Sequence, residues 1–585
     1  MQKTAFFVFG VKDHHAGGIR LLSSILKRRG YNVKVLFFKT FHFTTNAASA
    51  GASSLTSKEW DLLKETVARL SPAWIGVAYT SFEPAPAKDV FAAIRDAAPE
   101  AIIMSGGFGP TFDPVRFLKA GADYVVRGEG EEAVEDIAGI ISREKDEGAR
   151  NRKFKALKNL AWLEDGKLRA NDLRPLYDMK EAPEYLYASG DIIVIENDKL
   201  ETLDPLIERE RIYALTSSRG CVGRRAYCDG GNWLNLYRES GNPVIRYRTR
   251  KTEDAIAECK KAKNLGATYI NFQDEFFIRN EKDFIEFFDA YKKEVGLPFK
   301  LSPQTDFLIK ESKRFKSIYE AGLSLLALGI QTGSKTLSEN VYNRKLNVGE
   351  KLKAINFFHR RWVNSAVHFI TGHAPESEVD FRASLDFIKQ LPFSSDFPAR
   401  TAIMVFKFVL LPSAPMGELF PILRTKRMDP MEIEYRRWLL RVRHILKDDD
   451  EFEEIYRNSA FRDKPALLIN LFNEIFNRSR YSFWKEKSEV LRGREVYFYG
   501  RGETYQIYKR RFKDSVPLAI LEDGAKGDEK IDNIPIIDPA KALRGEKKPI
   551  IVFSSVADQI ARKILIKFPH QEDITACANS RYPYL

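Results

Sequence analysis

Over residues 1 to about 140, short apolar runs alternate with stretches whose hydrophobic positions recur at helical spacing. Phe6 to Phe9 reads as a strand; Ile19, Leu22, Ile25 and Leu26 form one helical face closed by Gly30; Val33 to Phe38, Trp74 to Tyr79 and Ala101 to Met104 continue the series. This alternation predicts a doubly wound parallel sheet, a Rossmann-like domain over 1–140. Residues 141–205 hold a charged helix and a hairpin-like piece around Ala161 to Leu168, and read as a linker.

A second αβ series begins near residue 206. Tyr213 to Thr216 is a strand, 253–265 a helix with Glu253 and Asp254 in its first turn, and Tyr269 to Phe272 the next strand. Polar residues gather where these strands end, as on the active face of a partial β/α barrel, which the pattern places at 206–427. Residues 428–490 are charged and helical and predict a capping segment. There Arg436, Arg437, Arg441 and Arg443 read as a solvated helix face rather than a site for an anionic substrate. From 491 to 585 the runs at Val496 to Tyr499, Leu518 to Leu521 and Pro549 to Phe553 predict a small Rossmann-like α/β module, structural or substrate-positioning in role, with cofactor binding at the partial Gly500-Arg501-Gly502 turn the weaker reading.

The chain has 585 residues, 44% hydrophobic and 30% charged, values of a globular protein with several cores. A net charge of +13 is spread along the chain beside 80 acidic residues, so a solvated surface is expected and a nucleic-acid partner is disfavoured. No run approaches the roughly 20 apolar residues of a membrane span. The short apolar start reads as a buried strand and not as a leader, which with four cysteines predicts a reducing, cytoplasmic location.

Three loops follow predicted strands of the first domain: Asp13-His14-His15-Ala16-Gly17-Gly18, Ser105-Gly106-Gly107-Phe108-Gly109 and Arg127-Gly128-Glu129-Gly130-Glu131. Their paired glycines let the backbone approach a bulky ligand. In the second domain, Cys221 and Cys228 flank a loop with Arg225 between them. A thiolate donates electron pairs to iron, whereas a guanidinium stays protonated and has none to give. Cys259 falls on the apolar side of its helix and reads as a core thiol, and Cys577 as a core or free thiol.

These motifs resemble the B12-binding (cobalamin-dependent) radical S-adenosylmethionine (SAM) superfamily, whose CxxxCxxC loop holds a [4Fe-4S] cluster; here the middle cysteine is Arg225. The resemblance covers the first domain and roughly 210–420, including Gly329 to Ser334, Phe369 to Glu376 and Phe408 to Ser413. It implies three cofactors. Cobalamin would lie against Asp13, His15, Gly18, Gly106, Gly107, Gly128 and Glu129, with His15 either a cobalt ligand or a polar residue lining the pocket. SAM would lie against Gln273, Asp274, Glu275, Gln331, Ser334, Gly372 and Glu376, and the cluster on Cys221 and Cys228. Arg225 has a further reading, gripping the SAM carboxylate or a phosphate in the vacated space.

Three functions follow from the resemblance. One is an enzyme of methyl transfer or radical rearrangement on a small metabolite, drawing on an electron donor if the cluster forms. The second is a cluster-less methyltransferase using SAM and cobalamin in two-electron steps. The third is a non-catalytic cofactor-binding relative. An RNA-modifying enzyme is disfavoured, because the first domain lacks the extra cysteines of the methylthiolating relatives. No residue singles itself out as catalytic.

Overall fold

The computed structural model describes residues 5–11, 17–38, 55–81, 87–187, 189–221, 223–245, 247–275, 277, 281–302, 313–527 and 529–577. Its first sheet has nine strands: β1 (Ala5–Val11), β2 (Asn32–Phe38), β3 (Trp74–Ala78), β4 (Ile102–Gly106), β5 (Tyr124–Val126), β6 (Leu160–Glu164), β7 (Lys167–Ala170), β8 (Ile192–Glu196) and β9 (Lys199–Glu201). They lie in the order β7-β6-β5-β4-β3-β1-β2-β8-β9. The order reverses between β1 and β3, both of which run parallel to their neighbours. That reversal is where a doubly wound sheet opens a crevice beyond its strand ends.

Alternation along β2 feeds two cores. Val33, Val35 and Phe37 point to one side, with the helices Gly17–Arg28 and Glu131–Arg143. Leu36 and Phe38 point to the other, with Ser57–Leu70 and Ala87–Ala97. The stretch read as a linker does more than connect: β6 and β7 extend one edge of this sheet and β8 and β9 the other.

The second sheet holds β10 (Ile212–Leu215), β13 (Tyr269–Phe272), β14 (Phe299–Leu301), β15 (Leu323–Gln331), β16 (Asn364–Thr371) and β17 (Thr401–Lys407), parallel and in sequence order. This is the partial barrel expected from the pattern. Between β10 and β13, the short strands β11 (Ser218–Arg219) and β12 (Arg248–Thr249) pair antiparallel and close the base of the cysteine loop. One hydrophobic core runs from Val35 and Phe37 of the first sheet through Phe272, Phe288 and Leu326 of the barrel to Trp438 and Phe472, so the parts are fused rather than tethered. At that seam Arg20 is fully buried against Asp204, at 2.5 Å, with its guanidinium 4.1 Å from the Tyr187 ring.

The helix Pro430–Ile445 corrects the expectation of a solvated arginine face. Arg436, Arg437, Arg441 and Arg443 are all buried. Arg436 reaches Glu376 and Glu432, Arg437 donates to the Val405 carbonyl, and Arg443 binds the Leu446 and Asp448 carbonyls. Arg436 and Arg437 tie the helix to the barrel wall, while Arg443 closes the turn that follows it.

The C-terminal sheet comprises β18 (Glu495–Tyr499), β19 (Val516–Leu521), β20 (Lys530–Ile531), β21 (Ile534–Ile537), β22 (Ile550–Val552) and β23 (Ile574–Ala576). It docks on the starts of barrel strands. Asp558 accepts from Ser324 at 3.4 Å and Asn364 at 3.0 Å, and Arg562 donates to the Trp362 carbonyl at 2.7 Å. This places the module opposite the strand ends that carry the cysteine loop. Cys259 and Cys577 are both buried, as core thiols. Among the described residues no helix is long and apolar enough to cross a membrane.

Candidate functional site

Asp13 and His15 lie outside the described residues. Gly17 opens the helix Gly17–Arg28, and a Cβ there would stand 3.0 Å from Gln273 Oε1 and 3.1 Å from the Tyr185 ring, whereas one on Gly18 would meet nothing within 4 Å. The helix start at Gly17 therefore lies close to Gln273, just past barrel strand β13, with open space at Gly18.

The other two loops are shaped mainly by packing. Gly107 has φ +100°, and a Cβ on it would lie 2.4 Å from the Tyr79 carbonyl oxygen; a Cβ on Gly106 would meet only ordinary contacts. Gly107→Ala should therefore cost about 2–4 kcal/mol, combining left-handed strain with a backbone clash, and lower the urea midpoint of the earliest unfolding transition. Gly128, at φ +76°, abuts the Tyr237 hydroxyl, which also accepts the Glu129 N–H at 2.7 Å.

Glu129 sits in a buried ion cluster. It takes both guanidinium nitrogens of Arg248, at 2.7 and 2.9 Å, the Tyr177 N–H at 2.7 Å and Arg219 at 3.3 Å. Arg219 also pairs with Glu131 at 2.6 Å. Arg219 and Arg248 face each other across β11 and β12, so this cluster clamps the first domain to the root of the cysteine loop. Sequence reading missed Arg219 and Arg248; the signal was the double-acidic Glu129-x-Glu131 loop, which needs cations once buried.

Within the cysteine loop, the Gly223 N–H donates to Cys221 Sγ at 3.3 Å and the Gly230 N–H to Cys228 Sγ at 3.4 Å. Burial pushes the Cys228 thiol up, and the nearby Glu275, Cys221 and Asp229 add to it. A Cβ on Gly223 would stand 2.5 Å from Arg225 Nη1 and 3.4 Å from Cys221 Sγ. The guanidinium thus occupies the space beside the first thiol. Cys221, Gly223 and Arg224 also border a small cavity of about 30 Å³ together with Leu234, Asn235 and Arg238.

Asp229, the spare oxygen of this loop, accepts from the Ser81 hydroxyl of the first domain and from Ser413 N and Oγ, at 3.2 and 2.7 Å. It is a strut between both domains. Among the described residues no group of three or more His, Cys, Asp or Glu is arranged to hold a metal ion.

At the barrel mouth the predicted SAM residues divide in two. Asp274 accepts from Ser217 N and Oγ, at 3.1 and 2.9 Å, and from the Ser218 hydroxyl; Ser334 donates to Asp380; Glu376 accepts from Thr371 at 2.7 Å and from the Gly372 N–H at 3.1 Å, with Arg436 behind it. Gly372, at φ +93°, could carry no Cβ without meeting Ile433 at 2.8 Å. These residues build the loops. Gln273, Glu275 and Gln331 instead present side chains to the cleft. Glu275 reaches open surface, yet the surrounding protein still raises its carboxyl above the usual range, with Glu129 adding to it against Arg219. Gln331 holds φ +74° beside a bulge in the β15–β16 pairing, backbone strain of the kind found where a side chain must be aimed. A larger cavity, of about 560 Å³ and bordered by Arg480, Trp484 and Arg511, touches none of these residues.

Residues 10–138 match the B12 binding domain. Over a wider span, the chain is similar in fold to the radical SAM methyltransferase TsrM from Kitasatospora setae, solved with cobalamin and a [4Fe-4S] cluster bound: 16% identity, TM-score 0.54, 73% of this chain and 80% of that one. A TsrM structure with tryptophan substrate and the SAM analogue aza-SAM matches at 16% identity and TM-score 0.52, over 70% and 75% of the two chains. The cobalamin-dependent SAM radical enzyme OxsB, with aqua-cobalamin and SAM bound, matches at 14% identity and TM-score 0.53, over 87% of this chain and 75% of that one. No curated protein sequence matches the chain. The architecture is that of cobalamin-dependent radical SAM enzymes: a B12-binding type of sheet fused to a partial barrel.

Proposed function

We propose that this chain binds cobalamin and SAM face to face and transfers a methyl group to a small-molecule substrate. The observation that carries the reading is the close approach of Gly17, at the mouth of the corrinoid-type crevice, to Gln273 just past barrel strand β13, where a Cβ would find little room. The bound corrinoids and SAM of TsrM and OxsB, which share this fold, support it.

The residues fit two of the three expected groups. Gly18 leaves room for a corrinoid edge, and Gln273, Glu275 and Gln331 offer polar atoms to SAM in the cleft. The cluster fits poorly, with two thiols and a guanidinium beside the first. The cluster would carry no step in this reading, and a reductant would be needed only to bring the corrinoid to its nucleophilic state. Of the readings open to the sequence, two-electron methyl transfer is favoured over radical cleavage.

When bound, cobalamin supplies a nucleophilic metal and SAM an activated methyl group. The chain supplies placement. Asp229 and the Glu129–Arg248–Arg219 cluster fix the first domain over the barrel, and Asp274 holds Ser217 and Ser218 at the root of the loop. The test is iron-free protein incubated with reduced cobalamin and methyl-labelled SAM. Label on the corrinoid is expected; SAM turnover only after iron and sulfide are supplied, yielding deoxyadenosine, would refute the reading.

A further inference from the structure

Among the described residues, one lysine on the barrel strands faces the lumen without an acidic partner. Side chains alternate along the strands: Phe272 and Phe299 pack outward on Phe287, Phe288 and Tyr291, and Phe369 outward on Phe387. Asn271, Lys300 and His368 therefore face the lumen. Asn271 and Lys300 are register neighbours on β13 and β14. Between Lys300 and His368 runs β15: Lys300 lies beside Leu325 and His368 beside Gly329, and the small Ala327 and Gly329 on that face leave space above Leu325.

None of the six barrel strands carries an aspartate or glutamate. Among the described residues Lys300 has no hydrogen-bond or ion-pair partner, and the buried Asn271 Oδ1 has none either. Burial lowers the Lys300 ammonium from its usual value, and burial together with Lys300 holds His368 at about 4, a neutral imidazole. A half-buried ammonium without a counter-ion is costly unless a ligand supplies one. The Gln331 amide folds back over Gly329, within 2.7 Å of where a Cβ there would stand, and adds a further donor.

We infer that Lys300, with Gln331 and His368 beside it, anchors the carboxylate of the small-molecule substrate, and that Asn271 Oδ1 accepts an N–H or O–H from the same molecule. The ligand class is a small carboxylic acid bearing a donor, such as an α-amino or α-hydroxy acid. This rests on the proposed transferase reading and names its substrate chemistry.

The test is acylation footprinting of Lys300 by mass spectrometry on the full chain, with lactate as probe and uncharged lactamide as its comparison. Lactate should slow labelling of Lys300 about tenfold, the worth of one charge-assisted hydrogen bond, while lactamide has little effect and propionate an intermediate one. Lys300→Met should abolish the thermal stabilisation that lactate gives. Equal protection by lactate and lactamide, or a Lys300 that never labels, would overturn the site. Protection by SAM but by neither lactate nor propionate would overturn it too, by assigning the anchor to the cofactor's carboxylate. Corrinoid uptake, read from visible absorbance, is measured alongside. Lost protection with corrinoid bound sinks this inference alone, and lost corrinoid sinks the reading beneath it.

Discussion

Arg225→Cys is expected to turn a chain that retains little iron after anaerobic reconstitution into one holding about four irons and four sulfides. The substitution exchanges a group with no lone pair for a thiolate donor. The loop is already braced to receive it. The Ala226 N–H donates to the Tyr342 carbonyl at 3.1 Å and the Met416 N–H to the Ala226 carbonyl at 2.8 Å, so the backbone next to position 225 is held from both sides. Removing the guanidinium also vacates the space beside Cys221. Arg225→Ala separates the two effects, since it vacates the space without adding a ligand and should stay iron-poor. Iron and sulfide analysis of the three proteins decides the matter, and a full complement in the unsubstituted chain would contradict the account of Arg225 given above.

Glu129→Ala should cost about 3–5 kcal/mol, because it strands Arg248 as a buried cation while Arg219 keeps Glu131. The cost is read from urea unfolding, with uncoupling of the first domain from the barrel as the expected first event. A pH dependence follows. Burial opposes ionisation of Glu129, but the Arg248 hydrogen bonds, the Arg219 and Arg248 charges and the Tyr177 N–H outweigh it and hold the carboxyl below its ordinary value. A depressed folded-state value means the contribution is complete above the unfolded carboxyl value of about 4.3, and is lost as pH falls through the lower folded value. Wild-type stability should therefore drop below about pH 4 by an increment that the variant lacks. Parallel acid-unfolding curves for the two proteins would show that Glu129 is not the titrating group.

What the sequence made legible was what local pattern determines. Apolar runs such as Val33 to Phe38 and Tyr269 to Phe272 appear as strands within a residue or two, and Cys259 is the core thiol its helical position implied. What it hid depends on partners distant in the chain. Arg436, Arg437, Arg441 and Arg443 fall on several sides of one helix, so no periodicity separates a wet face from a buried one; Glu376 and the Val405 carbonyl only become neighbours in the fold. Ser334 and Asp274 sit in ligand-like motifs, yet their hydrogen bonds go to Asp380 and to Ser217 and Ser218, which build the loops themselves. Lys300 lay in a three-residue strand too short to betray which face it occupied.

The first sheet ends on both sides in short hairpins, and the outermost strands β7 and β9 carry Lys167, Arg169, Lys199 and Glu201. Charges on brief terminal strands deny a second molecule a flat template for pairing. A fragment cut at residue 140 would lack both hairpins, baring β2 and β5, two apolar ribbons with unmet amides. The smallest excisable corrinoid-type unit therefore runs past Glu201 to include Asp204, the partner of buried Arg20, and shorter pieces should clump rather than fold.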